Sequence, residues 1–419
     1  MLQTKEYKIK SCDDVELDIK RESLLEFSLT FDDEKEIEAI LFIIPGLGAD
    51  NNQIYQNKLA LHCANTFSVA VCSVAYHCIA NRPQLGCTLG FDDVDEFVFN
   101  EICKSLNLKI PKKFLPIKKI KNNEIIELSR YLDEKIQKKK EKFELEKSYN
   151  MNITSTFFPA KNEYNNFGIM SATDIVNALL HIKKDPPFKI ANGGGHLEDL
   201  KTIFLGSSHG GYLANLVAKI SPWNVDFVID NSSYVKIPWR LIGFGKEIDY
   251  VKYPSCSIRL GKNISDFIFD KTFWTTNKFS KNYFSKSRER IRTILDEEHI
   301  KIQAEIFKAK YISYHSRFDG DLAPAADKEL CYALFKQYGY DAKLFMIEKE
   351  EQIDGKFIKN LTHGLGMSIK TLINNTIPFA LTQKSDRKNL KKEISYPCNE
   401  YIYTFKEKDN TLQLECKKI

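Results

Sequence analysis

No stretch of this 419-residue sequence supplies the roughly 18 uninterrupted apolar residues that a membrane-spanning helix needs. The first residues, MLQTKEYKIKSCDDVELDIK, hold no apolar run behind a basic start, so they do not read as a secretory signal, and the chain is expected to be soluble and cytoplasmic. Neither sign of charge dominates: 61 Lys and Arg are interleaved with 56 Asp and Glu, which leaves a formal net charge of +5 and no demand for nucleic acid as a partner. The basic cluster KKKEK at 138–142 sits in a Lys/Glu-rich stretch and reads as the solvated face of a helix. Ten cysteines are present, yet none forms a CxxC pair or a Cys/His grouping at zinc spacing, so no metal is expected. Most read as small buried apolar residues, reduced in the cytoplasm. Internal repeats and long low-complexity linkers are also lacking.

What is present is a large apolar fraction, 43% of the chain, enough to bury a substantial core. Near-continuous apolar runs at 39–46 (AILFIIPG), 68–76 (SVAVCSVAY), 202–206 (TIFLG), 225–230 (VDFVID), 309–315 (AKYISYH) and 342–348 (AKLFMIE) read as strands buried on both sides. Helical spacing recurs between them, at 171–184, 212–220 and 325–339. Strands alternating with helices predict an α/β fold, a mostly parallel central sheet with helices on both faces. Ahead of the first buried run, KEYKIK, VELDIK and LEFSLTF alternate apolar and polar residues and predict antiparallel edge strands.

Two stretches break this rhythm. Residues 92–165 are rich in Lys, Glu and Asn, and residues 231–305 are rich in aromatics; both read as insertions into a single domain spanning 1–419, the second as a cap. The tail at 390–419 reads as a β-hairpin around KDN, placed to extend the sheet of the N-terminal strands.

The most informative stretch is TIFLGSSHGGYLANL at 202–216, where an apolar strand meets Gly206-Ser207-Ser208-His209-Gly210 and a helix follows at once. This fits G-x-S-x-G, in which the central serine sits on a tight strand-to-helix turn with its hydroxyl exposed above the sheet. Small residues flank it because side chains there would collide across the bend. A serine hydroxyl becomes a useful nucleophile when a base takes its proton and a carboxylate orients that base, in chain order Ser, Asp or Glu, His. HSRFDGDLAP, after the strand ending at His315, offers Asp319 first and Asp321 second, with Asp230 as a more distant alternative. NLTHGLGMS offers His363, alone among the eight histidines in following the last buried strand. These loops lie beyond the carboxyl ends of strands, where open α/β sheets bind ligands.

Acyl transfer also needs donors for the oxyanion formed at the attacked carbonyl. The backbone N–H of His209 is the first candidate. The second comes from the turn Pro45-Gly46-Leu47-Gly48, at Leu47 or, failing that, Gly48. His196 follows a glycine run, NGGG, that precedes a strand instead of opening a helix, so it reads as a loop. His77, Cys78 and Cys87 read as packing residues.

The succession PGLG, GSSHGG, HSRFDGD and THG, each behind a buried strand, resembles the α/β-hydrolase superfamily over most of residues 35–380. The elbow GSSHGGY and the His315–Asp319 spacing are similar to its prolyl-oligopeptidase-like branch, which implies Asp319 as the acid. Pro45 replaces the histidine usual in the oxyanion turn, and two insertions stand where that branch carries a propeller. The whole chain also resembles a bacterial family of unknown function with this fold, some of whose members are associated with surface-glycan genes. Together these readings predict a serine hydrolase acting on an ester-like acyl bond of a small-molecule or glycan-linked substrate, without metal or organic cofactor. The same machinery also suits an acyltransferase, with a sugar among its acceptors, and a binding protein that kept the fold without the chemistry is a third reading.

Overall fold

Strands buried on both faces need helices above and below them, because an apolar sheet face left in water forfeits the burial that drives folding. A computed structural model, which describes every residue except 49–53, 192–199, 321, 386 and 388, meets that requirement with an eight-stranded sheet. The chain divides into two compact units, the first from residues 1–79, 167–238 and 285–419, the second from 80–166 and 239–284.

The first unit holds the sheet. Its strands are β1 (Leu2–Ile9), β2 (Leu25–Asp32), β3 (Ala39–Ile44), β4 (Val69–Ala75), β5 (Lys201–Ser207), β6 (Phe227–Asn231), β7 (Lys310–Ser316) and β8 (Ala342–Ile347), in spatial order β1-β2-β4-β3-β5-β6-β7-β8. β1 pairs antiparallel with β2 and β2 antiparallel with β4; every later pairing is parallel. Successive side chains on a strand point to opposite faces. Leu41, Ile43, Ile203, Leu205 and Ile229 therefore share one face, where they pack with Leu59, Ala60 and Cys63 of α1 (Ile54–Thr66) and with Leu372, Ile373 and Ile377 of α5 (Ile369–Thr382). Phe42 and Phe204 point the other way and stack at 4.7 Å between ring centres. α2 (Ile169–Lys184) and α3 (His209–Ile220) are buried along almost their whole length, and α4 (Ala325–Gln337) precedes β8.

VELDIK is not the expected edge strand. Asp14 Oδ1 accepts the N–H groups of Glu16 and Leu17, and Asp18 adopts φ 56°, so residues 15–18 turn back on themselves and leave an isolated bridge between Asp14 and Ile19. A short side chain that captures nearby amides competes with strand pairing. The tail likewise forms a sheet of its own, β9 (Glu393–Cys398), β10 (Tyr401–Lys408) and β11 (Thr411–Lys418), with Asp409 and Asn410 in the left-handed region at the turn. Tyr396 Oη donates to the carbonyl of Lys219 at 2.6 Å, which ties this sheet to the end of α3.

The second unit has a four-stranded sheet, in spatial order Cys256–Arg259, Ile264–Asp270, Met151–Phe158 and Thr88–Gly90, with Met151–Phe158 and Ile264–Asp270 parallel. Phe99 and Cys103 of the helix Asp93–Ser105, and Leu128, Leu132 and Ile136 of the helix Asn123–Glu141, pack on Met151, Ile153, Phe157, Ile264 and Ile268. Of KKKEK, Lys138, Glu141 and Lys142 are exposed, while Lys140 donates to Asn263 Oδ1 at 2.6 Å and Lys139 pairs with Glu144. A cavity of about 1110 Å³ is lined by rings that include Phe91, Phe244, Phe273 and Trp274, and by Lys246. Lys246 Nζ bridges Asp92 at 2.8 Å and Asp95 at 2.6 Å.

Asp266, fully buried, takes both hydrogen bonds shown for its carboxylate from Ser155 Oγ. Burial pushes its carboxyl from 3.8 up to about 7, and burial raises the neighbouring Asp95 as well. Between those values the folded chain holds a proton on Asp266 that the unfolded chain has released, so the contribution of this group to stability falls as pH rises, by at most about 1.4 kcal/mol per pH unit. Buried neutral His299 and His315, held below the usual imidazole range, act in the opposite sense over much of that window, so the test is a difference. Urea titrations of the parent and of Asp266→Asn are expected to show the parent's stability relative to the variant falling as pH rises, and a pH-independent difference contradicts the assignment.

Candidate active site

Ser208 stands alone between β5 and α3, at φ 53° and ψ −118°, a conformation that L residues seldom adopt. The glycines around it meet the steric requirement expected of them. A Cβ on Gly206 would lie 2.2 Å from the carbonyl carbon of Gly210, and one on Gly210 would lie 2.1 Å from the carbonyl oxygen of Ile44. The Ser208 N–H is bonded to the carbonyl of Asn231 at 2.8 Å, so the bend is pinned to the next strand.

Two loops bring the remaining side chains. Residues 317–324 follow β7; Asp319 is 4% exposed, and its Oδ1 accepts the N–H of Ala323 at 3.2 Å. His315, buried on β7, donates from Nε2 to the carbonyl of Ala323 at 2.8 Å and so closes that loop. Burial, together with the nearby Lys328 ammonium, pushes His315 down to about 4, which keeps it neutral for this donor role. The second loop carries His363 ahead of α5. It turns through positive φ at Gly364, Leu365 and Gly366, and Leu365 is fully buried beside Ile347 and Ile358. Ser316 Oγ donates to the carbonyl of Leu361, and Asn231 Nδ2 donates to the carbonyl of Gly364 at 2.9 Å.

The outcome is one chain of contacts. His363 Nε2 lies 2.8 Å from Ser208 Oγ, and His363 Nδ1 lies 2.5 Å from Asp319 Oδ2. Asp230 does not take part: it is fully buried and accepts Lys328 Nζ on both carboxylate oxygens at 3.0 Å. Asp321 and His196 lie outside the described residues. The turn carrying Leu47 runs against the elbow, since a Cβ on Gly46 would stand 3.0 Å from the carbonyl oxygen of Ser207 and 3.9 Å from Ser208 Cβ; Gly48 follows at φ 81°. His209 sits in an aromatic cluster, its Nδ1 2.5 Å from Tyr234 Oη and its ring beside Phe167 and Tyr212. His77 and Cys78 are buried, and among the described residues no group of His, Cys, Asp and Glu is placed to hold a metal ion. Sequence reasoning missed Asn231 and Ser316. The one available signal was a polar residue at the carboxyl end of each buried strand.

The strand order, with its antiparallel start, and the elbow after β5 make this an α/β-hydrolase fold. A family model described as "Protein of unknown function (DUF2920)" matches residues 5–416. The chain belongs to this family. No curated protein matches it in sequence. Among solved structures, a Bacteroides ovatus protein described as "a putative dipeptidyl aminopeptidase IV" is similar over 92% of this chain at 10% identity and a TM-score of 0.42, although this chain spans only 36% of its length. The esterase Est22 is similar over 91% of this chain and 80% of its own, at 9% identity and a TM-score of 0.43. Est1E from Butyrivibrio proteoclasticus, with ferulic acid bound, is similar over 86% of this chain and 96% of its own, at 12% identity and a TM-score of 0.41. At these identities and scores, the functional reading of this DUF2920 protein rests on the geometry of its own site.

Gly210→Ala is expected to destabilise the first unit by about 3 kcal/mol or more, because the new methyl meets backbone at the end of β3 that has no free direction to move. Chemical denaturation of the purified variant measures this; a stability equal to that of the parent contradicts the steric argument.

Proposed function

We propose that this DUF2920 protein is a serine hydrolase that cleaves an ester-like acyl bond through an acyl-enzyme. The observation that carries the reading is the pair of contacts from His363, Nε2 to Ser208 Oγ at 2.8 Å and Nδ1 to Asp319 Oδ2 at 2.5 Å. In this reading Ser208 Oγ attacks the substrate carbonyl carbon while His363 Nε2 takes the hydroxyl proton. His363 Nδ1–H donates to Asp319 throughout, which fixes the tautomer and stabilises the imidazolium. The carbonyl oxygen gains the negative charge of the tetrahedral intermediate, and the backbone N–H groups of His209 and Leu47 receive it. Collapse expels the leaving alcohol, which takes its proton from His363. Water then attacks the acyl-enzyme with His363 again as base, and Ser208 leaves with its proton restored.

The environment supports the assignment. Asp319 is almost fully buried with an N–H bonded to one oxygen and the imidazole to the other, so its charge is directed at His363. His363 is more open, its side chain 26% exposed, as a base that must meet substrate and water requires. Loss of one oxyanion donor raises a barrier of this kind by about 3 kcal/mol, so the backbone amides carry as much of the proposed chemistry as the base.

Two outcomes test the proposal. Ser208→Ala is expected to abolish both hydrolysis of an activated short-chain ester and labelling by a fluorophosphonate probe, and full activity in that variant refutes the assignment. Asp319→Asn is expected to lower kcat by about 10⁴-fold while leaving the fold intact, because an amide favours the wrong histidine tautomer; a loss of less than about tenfold in steady-state kinetics removes Asp319 from its role.

A further inference from the structure

Ser208 and His363 belong to segments 155 residues apart, and their contact requires that the histidine loop be held at a fixed height above the elbow. One side chain reaches both. Asn231, at the carboxyl end of β6, is 1% exposed. Its Nδ2 donates to the carbonyl of Gly364, the residue after His363, at 2.9 Å, and to Ser207 Oγ, the residue before Ser208, at 3.2 Å. Its main-chain carbonyl accepts the N–H of Ser208 at 2.8 Å, and its Oδ1 accepts Ser232 Oγ at 3.0 Å. Each polar group of this side chain is engaged, so its orientation is determined.

The histidine loop has a second tether of a different kind. Ser316 Oγ holds the carbonyl of Leu361, and Ser316 ends β7, the strand that leads into the Asp319 loop. Ser316 therefore ties the histidine loop to the acid's strand, whereas Asn231 ties it to the nucleophile's elbow.

We infer that Asn231 is a positioning residue that sets the distance between His363 Nε2 and Ser208 Oγ. The inference rests on the triad reading above. The amide is suited to this because a single planar NH₂ presents two donors in fixed directions, one for each segment. Ionised aspartate offers neither donor, and leucine keeps the same branched outline, somewhat larger, with no polar atom. Without the Nδ2 bridge the loop retains its Ser316 tether and the buried Leu365, so the protein folds, but the base is no longer fixed against the hydroxyl.

The test compares Asn231→Leu, Asn231→Asp and Ser208→Ala on an activated short-chain ester, with thermal denaturation of each. Asn231→Leu is expected to lower kcat by about 10²-fold with KM within about threefold of the parent, the pattern of a lost transition-state alignment. Asn231→Asp is expected to regain activity relative to the leucine variant as pH falls, since a protonated carboxyl donates to Gly364, a recovery that a purely structural role does not produce. The inference is overturned if Asn231→Leu keeps kcat within about threefold of the parent, or acts only through KM, or if the Asp variant runs parallel to the Leu variant at every pH. Should Asn231→Leu yield no folded protein, Asn231→Asp carries the test against the parent: recovery toward low pH supports the inference and parallel pH profiles overturn it. Ser208→Ala separates the two levels. Activity surviving in Ser208→Ala sinks the triad reading itself; activity lost in Ser208→Ala but kept in Asn231→Leu sinks the positioning role alone.

Discussion

The backbone at Ser208 is held where an L residue is strained, and its surroundings exclude any other path. Such a conformation costs of order 1–3 kcal/mol and persists only where the fold over-determines it. Here the determination comes from three strands. β5 delivers the chain to the bend, the end of β3 leaves no room for a side chain on Gly210, and β6 bonds the Ser208 N–H. The parallel ladder from β3 through β5 and β6 to β7 is thus what converts a local strain into a fixed hydroxyl. Every contact proposed for the chemistry, including the reach of Asn231 to the histidine loop, is measured from that point.

Buried ion pairs extend the same logic to the segments that flank the ladder. Asp230 with Lys328, Glu16 with Arg292, Asp174 with Arg21 and Asp226 with Arg387 are each almost wholly removed from water. Pairs of this kind add little net stability over apolar residues of equal size, yet losing one partner typically costs about 3–5 kcal/mol. They therefore penalise misplacement more than they reward folding. The Asp230 pair is the most consequential, because it joins the residue before Asn231 to α4 and so steadies the strand end from which the histidine loop is held.

Much of this was legible in the sequence because the signals were local. Apolar runs marked each parallel strand, Gly206 and Gly210 bracketed Ser208, and Asp319 and His363 each followed a strand of the same sheet. Other features had no local signature. Asp14 turns VELDIK away from a strand by capturing two amides, a competition that alternation of apolar residues cannot reveal. The parallel pairing of Met151–Phe158 with Ile264–Asp270 joins segments more than a hundred residues apart, so no periodicity in either predicts the other. Asn231 looks like any polar residue at a strand end until its two acceptors are seen.

The interleaving of the two units along the chain bears on how the protein is made. Residues 80–166 and 239–284 are both on hand before the ribosome reaches 285, whereas the first unit still lacks β7, β8 and α5 at that moment. Chains are translated at about 5–20 residues per second, so several seconds separate the synthesis of β6 from that of β7, its outer neighbour in the sheet. Until β7 is made, the outer edge of β6 has no partner strand, and the segments that carry Asp319 and His363 lie further along the chain still.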